Sequence, residues 1–259
     1  MARDLQDAVF ELCEAFPGAE RFTSHGSPNF RIQSGKVFAI FVVNHHHDGR
    51  VALWLPAPDG AQQRWVSDEP DHYFVPAYVG PRGWLGVHLD RGLAWSAVTE
   101  RVAEAWQTVA PRRRLPELSE LPTVAPPETG LSPDQVDPLQ RADLQPIIAA
   151  VRARCLALPE CTEALHYGGP AWYAGKRRFA SVDVHGGGQV LLSAKVGLEV
   201  QALMSVEPHI LIPPYYGPQG WVAMALEGID PAGDDYEDLL LMAYRQVANR
   251  RMLKALDGA

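Results

Sequence analysis

Two stretches decide the fold: EPDHYFVPAYVGPRGWLGVHLD at 69–90 and EPHILIPPYYGPQGWVAMALE at 207–227. Aligned, they share in order a Glu-Pro pair, a Tyr-x-Gly-Pro-x-Gly-Trp loop and an apolar run after the tryptophan. So many identities in one order mark a duplication, and an internal repeat governs every later assignment.

The repeat extends toward the N-terminus of each copy. Leu5, Ala8, Val9, Cys13, Phe16 and Pro17 fall on Ile147, Ala150, Val151, Cys155, Leu158 and Pro159, and the spacing is the apolar stripe of a helix that stops at a proline. Gly26, Pro28, Phe30, Gly35, Lys36, Phe38 and Ala39 then match Gly168, Pro170, Trp172, Gly175, Lys176, Phe179 and Ala180 after small gaps.

The first copy predicts a helix at 3–15 and strands near 29–33, 36–43 and 51–55. A short helix at 61–69, a strand at 84–89 and a final helix at 94–109 follow. The second predicts strands near 171–175, 178–184 and 189–194, a helix at 197–205, a strand at 221–226 and a last helix at 234–255. Short turns make the first three strands a meander, and helices must cover one face of the sheet to bury its apolar side. The expected fold is α+β, an antiparallel sheet with helices on one face, built twice.

Residues 111–140 read PRRRLPELSELPTVAPPETGLSPDQVDPLQ, a Pro-rich segment without apolar period, hence a semi-extended linker between domains at 1–110 and 141–259. Leu115, Leu118, Leu121 and Val124 offer a means of pinning it to a surface.

The composition is that of a folded globular chain, 47% hydrophobic and 21% charged. No run of 18 apolar residues occurs, and the opening MARDLQDAVFELCEAF is amphipathic and acidic, so no membrane partner and a cytoplasmic location are expected. Cys13, Cys155 and Cys161 form neither a disulfide framework nor a zinc cluster. The net charge of −8 is shared by all three segments, which speaks against strong, nonspecific duplex affinity.

The motifs GSPNFRIQSGKVFA with PAYVGPRGW, and GGPAWYAGKRRFA with PPYYGPQGW, resemble the MmcQ/YjbR family over both copies. The resemblance implies a secretion-chaperone-like fold, α-β(3)-α-β(2)-α, which agrees with the order read from the residues. Many members carry Asn-Lys where this chain has Gly80-Pro81 and Gly217-Pro218, so any role of that lysine does not carry over. The resemblance also implies DNA binding by two hairpin wings, here 44–50 and 185–189, with Lys36, Arg50, Lys176, Arg177 and Arg178 as positioning cations.

The alternative partner is a small aromatic molecule in a groove between the copies, lined by Tyr78, Trp84, Tyr215, Tyr216 and Trp221 with His25 and His166 nearby. The bland reading of the same loops is that the tryptophans open core strands and the glycines serve the turns. A protein-interaction module has no specific residue behind it. Strand alternation puts His45 and His47 on one face, but no third metal ligand is placed, and a solvated, pH-sensitive tip is the default. Neither a nucleophile nor a carboxylate pair recurs beside the histidines in both copies, so a non-enzymatic binding protein without cofactor is expected. The two copies can pair within one chain, so a monomer is expected. The basic clusters read from sequence are Arg112–Arg114, after a helix end, and Lys176–Arg178.

Overall fold

The computed structural model describes residues 2–24, 26–185, 188–213, 215–234 and 236–258. The chain divides into two compact units, Met1–Val136 and Asp137–Ala259. Among the described residues no helix is long and apolar enough to cross a membrane.

The first unit runs α1 (Leu5–Glu14), β1 (Ala19–Ser24), β2 (Ser27–Ile32), β3 (Val37–Val43), β4 (Val51–Pro56), α2 (Ala61–Asp68), β5 (Tyr73–Phe74), β6 (Trp84–His88) and α3 (Trp95–Val109), then α4 (Pro133–Val136). Its antiparallel sheet has the order β1-β2-β3-β4-β6-β5. Asp4 starts α1 by accepting from the Asp7 N–H at 2.9 Å. The second unit runs α5 (Gln145–Leu156), β7 (Cys161–His166), β8 (Gly169–Ala174), β9 (Arg177–His185), β10 (Gln189–Lys195), α6 (Leu198–Met204), β11 (Trp221–Ala225), α7 (Glu237–Val247) and α8 (Arg250–Asp257). Its sheet order is β11-β10-β9-β8-β7, and a lone bridge, Leu211 to Ala223, replaces β5.

Strand alternation gives each sheet two faces. Phe30, Phe38, Phe41, Val51, Leu53, Leu55, Leu85 and Val87 point inward to a core shared with α1 and α3. In the second unit Trp172, Phe179, Val182, Val190, Leu192, Val222 and Met224 do the same beneath α5 and α7. The closing helices are tied to the opening ones by matched bonds. Trp106 on α3 donates its indole N–H to the Pro17 carbonyl at 3.2 Å, and Tyr244 on α7 donates its hydroxyl to the Pro159 carbonyl at 2.5 Å. Both rings are fully buried.

Four expectations change. β1 and β7 are strands that periodicity misses, because each is an edge strand with polar or half-exposed residues along it. The segment 44–50 does join β3 and β4 as a hairpin, but Asn44, His46, His47 and Gly49 take the left-handed region and His45–His47 form a tight 3-10 turn, so strand alternation does not apply to the histidines. The last helix is two, since Ala248 is extended and the Asn249 side chain caps α8 by accepting from Arg251 and Met252.

The fourth change concerns the expected linker. Residues 111–136 pack on the first unit, where Leu118, Val124, Leu131 and Val136 touch the core, while Leu115 and Leu121 stay exposed. Trp95 donates to the Val124 carbonyl at 3.0 Å, Arg3 to the Ala125 carbonyl at 2.6 Å, and Asp4 and Thr129 form a parallel bridge. Pro138 and Leu139 belong to the second unit, with Leu139 in its core.

Tyr244→Phe removes the donor to the Pro159 carbonyl and keeps the ring. The expected loss is about 1 kcal/mol of stability, measured as a lower urea midpoint at unchanged slope.

Candidate functional site

The Tyr-x-Gly-Pro-x-Gly-Trp loops lie on the sheet face opposite the helices. Gly83 and Gly220 need the left-handed region, with φ 80° and 78°. A Cβ at Gly80 would sit 2.5 Å from a Val75 methyl, and one at Gly217 the same distance from an Ile212 methyl. Each loop is held by a glutamine that the repeat reading passed over. Gln62 on α2 donates to the carbonyls of Gly80 (2.8 Å) and Trp84 (2.5 Å), and Gln201 on α6 donates to those of Gly217 (2.8 Å) and Trp221 (2.7 Å). Glutamine alone is no motif, but its recurrence ahead of both loops was the available clue.

Trp84 and Trp221 do open strands, as the bland reading has it, yet they face outward from the helical core. Tyr78 and Tyr215 begin the loops in the left-handed region, φ 60° and 67°, and are 69% and 63% exposed. That backbone costs an aromatic residue about 1–2 kcal/mol, and both copies retain it.

The outer faces of the two units carry different chemistry. In the first, Val42, Ala52, Trp54 and Val79 form a small apolar cluster against Ile40, Phe74 and Trp84. The turn at 44–50 folds onto it: the His45 ring lies 5.1 Å from that of Trp54, and the His46 ring nitrogen is 2.9 Å from the Tyr78 hydroxyl. Arg50 stacks 4.4 Å over Phe74 and pairs with Asp48 at 3.4 Å. This turn is a cap on an aromatic cluster, whereas a wing would project from it. Lys36 stands apart from it, exposed at the β2–β3 turn.

In the second unit Ser181, Asp183 and Ser193 occupy the outer face of β9 and β10, with Ser181 directly opposite Ser193. The Ser181 hydroxyl donates to Asp183 at 2.8 Å. Tyr216 stands where the first copy has Val79, and its ring and that of Trp221 each lie 4.4 Å from the Arg178 guanidinium. The Tyr216 hydroxyl is 3.1 Å from a His166 ring nitrogen. Three predicted ligand residues thus meet one predicted DNA contact. His25 lies outside the described residues, as do Gly186 and Gly187 of the expected second wing.

Lys176 and Arg177 are exposed at the β8–β9 turn beside α8, where a Cβ on Gly175 would touch the Met252 methyl at 3.4 Å. Helix α8 buries Met252 and turns Arg250, Arg251 and Lys254 outward, a third basic cluster. Arg251 pairs with Glu160 at 2.5 Å, while Lys176, Arg177, Arg250 and Lys254 join no salt bridge among the described residues. Of Arg112–Arg114, Arg114 is bound to Gln33 and Glu117. Among the described residues no three His, Cys, Asp or Glu side chains converge on a metal position.

The fold and these loops define a class: a tandem pair of antiparallel sheets, each backed by helices and crossed on its open face by a Gly-Pro loop. The YjbR family model matches residues 14–108 and 156–246, so the chain belongs to the YjbR family and carries it twice. The crystal structure of Deinococcus radiodurans protein DR2400, family-model domain DUF419, is similar at 22% identity and a TM-score of 0.35. That match covers 44% of this chain and 91% of that one. No curated protein matches the chain.

Burial depresses the pKa of His45, His88, His166 and His185, aided by His46 at the first, Arg91 at the second and Arg178 at the third. A depressed histidine binds fewer protons folded than unfolded, so its stabilisation is present above the unfolded value near 6.5 and is lost as pH falls through it. The thermal midpoint is expected to fall between pH 7 and 5.5, above the carboxylate range. A flat profile there would contradict the burial of these rings. Gln201→Leu leaves two loop carbonyls without their donor and is expected to cost about 2 kcal/mol, read as a lower thermal midpoint.

Proposed function

We propose that this YjbR-family chain is a non-enzymatic DNA-binding protein that holds duplex phosphates on the basic ridge of its second unit. One observation carries the reading: Lys176 and Arg177 on the β8–β9 turn adjoin α8, which presents Arg250, Arg251 and Lys254 on one outward face. Exposed lysines and arginines that neutralise phosphates release condensed counterions, and that release drives affinity independently of base sequence. The chain's acidity does not oppose this locally. Glu160 is already paired with Arg251, and Asp257 with Arg245 at 2.6 Å. Arg50 and Arg178, expected as further cations, are instead stacked on aromatic rings, so the contact set shifts from the wings to the ridge.

The test is a fluorescence-anisotropy titration with a labelled duplex across a salt series. Four phosphate contacts, from Lys176, Arg177, Arg250 and Lys254, give a slope of log K against log salt of about −4. The triple variant Lys176→Ala, Arg177→Ala, Lys254→Ala is expected to bind more weakly on every sequence and to flatten the slope by about 3. Absence of duplex binding at low salt overturns the reading.

A further inference from the structure

A chain of contacts leads from Arg178, next in sequence to the basic ridge, to the exposed tyrosines of the second unit. Arg178 follows Lys176 and Arg177 in sequence and lies with its guanidinium on the Tyr216 ring, 4.4 Å away. The far end of Tyr216 meets His166 at 3.1 Å, and the His166 ring packs 4.5 Å from that of Tyr167. Tyr167 and Tyr215 each sit one residue from that hydrogen-bonded pair, so it fixes both of their loops. Both take the left-handed region, φ 48° and 67°, and both are about two-thirds exposed, at 66% and 63%.

Large rings held outward at a backbone cost, on loops braced by a part-buried bond, are arranged to receive something flat. A cationic track that ends in exposed aromatic rings is the design of a surface for single strands, since every base has a face that stacks and every phosphate a charge. Duplex bases are already stacked on each other and offer these rings only an edge. The first unit does not repeat the arrangement, because Val79 stands in place of Tyr216.

We infer that the outer face of the second unit binds unpaired nucleobases, stacking them on Tyr167 and Tyr215 while the ridge holds the strand's phosphates. The inference rests on the reading of the ridge as a phosphate site.

The experiment compares a labelled oligothymidylate with a duplex of equal length at one salt concentration. Wild type, Tyr167→Ala/Tyr215→Ala, Tyr167→Phe/Tyr215→Phe and the ridge triple variant are titrated, with circular dichroism to confirm folding. Wild type is expected to prefer the single strand. The alanine pair should lose that affinity tenfold or more while duplex binding is unchanged, and the phenylalanine pair, which keeps the rings, should retain it. The ridge variant should weaken both ligands. A wild type that binds duplex but does not prefer the single strand, or an alanine pair that binds oligothymidylate as well as wild type, overturns this inference and leaves the ridge intact. Loss of both ligands in the alanine pair alone also overturns it, since the rings then act on the fold. Binding of neither ligand by wild type overturns the ridge itself.

Discussion

The bond from the closing helix to the proline carbonyl after the opening helix is the constraint on which each unit depends. Trp106 and Tyr244 differ in size and in donor, yet both reach the carbonyl of the proline that follows the first helix, Pro17 or Pro159. The donor lies about 90 residues away in the chain, so one hydrogen bond closes nearly the whole unit. Around it, Phe16 and Phe38 pack near Trp106, and Phe179 meets Tyr244 edge-on at 5.5 Å. A large ring satisfies two requirements there, filling the inner core and pairing a carbonyl of the turn that follows the helix.

With the inner faces so fixed, the outer faces were free to diverge. Ile40, Val42 and Trp54 make an apolar outer patch in the first unit, whereas Ser181, Asp183 and Ser193 take the same strand positions in the second. The common framework is the Gly-Pro loop with its glutamine clamp, which positions whatever side chain follows the first tyrosine. Val79 there gives an apolar plug, and Tyr216 gives a ring that Arg178 and His166 can both use. Duplication thus preserves the interactions that fold a unit and leaves the open face to acquire a separate role.

The sequence by itself determined the duplication, the order of most elements and the placing of the Tyr-x-Gly-Pro-x-Gly-Trp loops, because helical period, strand alternation and turn residues are local properties. It did not reveal β1 and β7, whose half-exposed residues carry no clean period; for the docking of residues 111–136 it offered Leu118 and Val124, but not the Trp95 and Arg3 side chains and the Asp4 backbone that hold the segment. Candidate residues are recognisable by type, Arg178 as a cation and His166, Tyr216 and Trp221 as rings, but only the folded sheet brings them together. The ridge likewise joins a turn to a helix some 75 residues later. Such groupings are set by which strands neighbour each other and which face a side chain takes, and that information lies in tertiary packing rather than in any window of the chain.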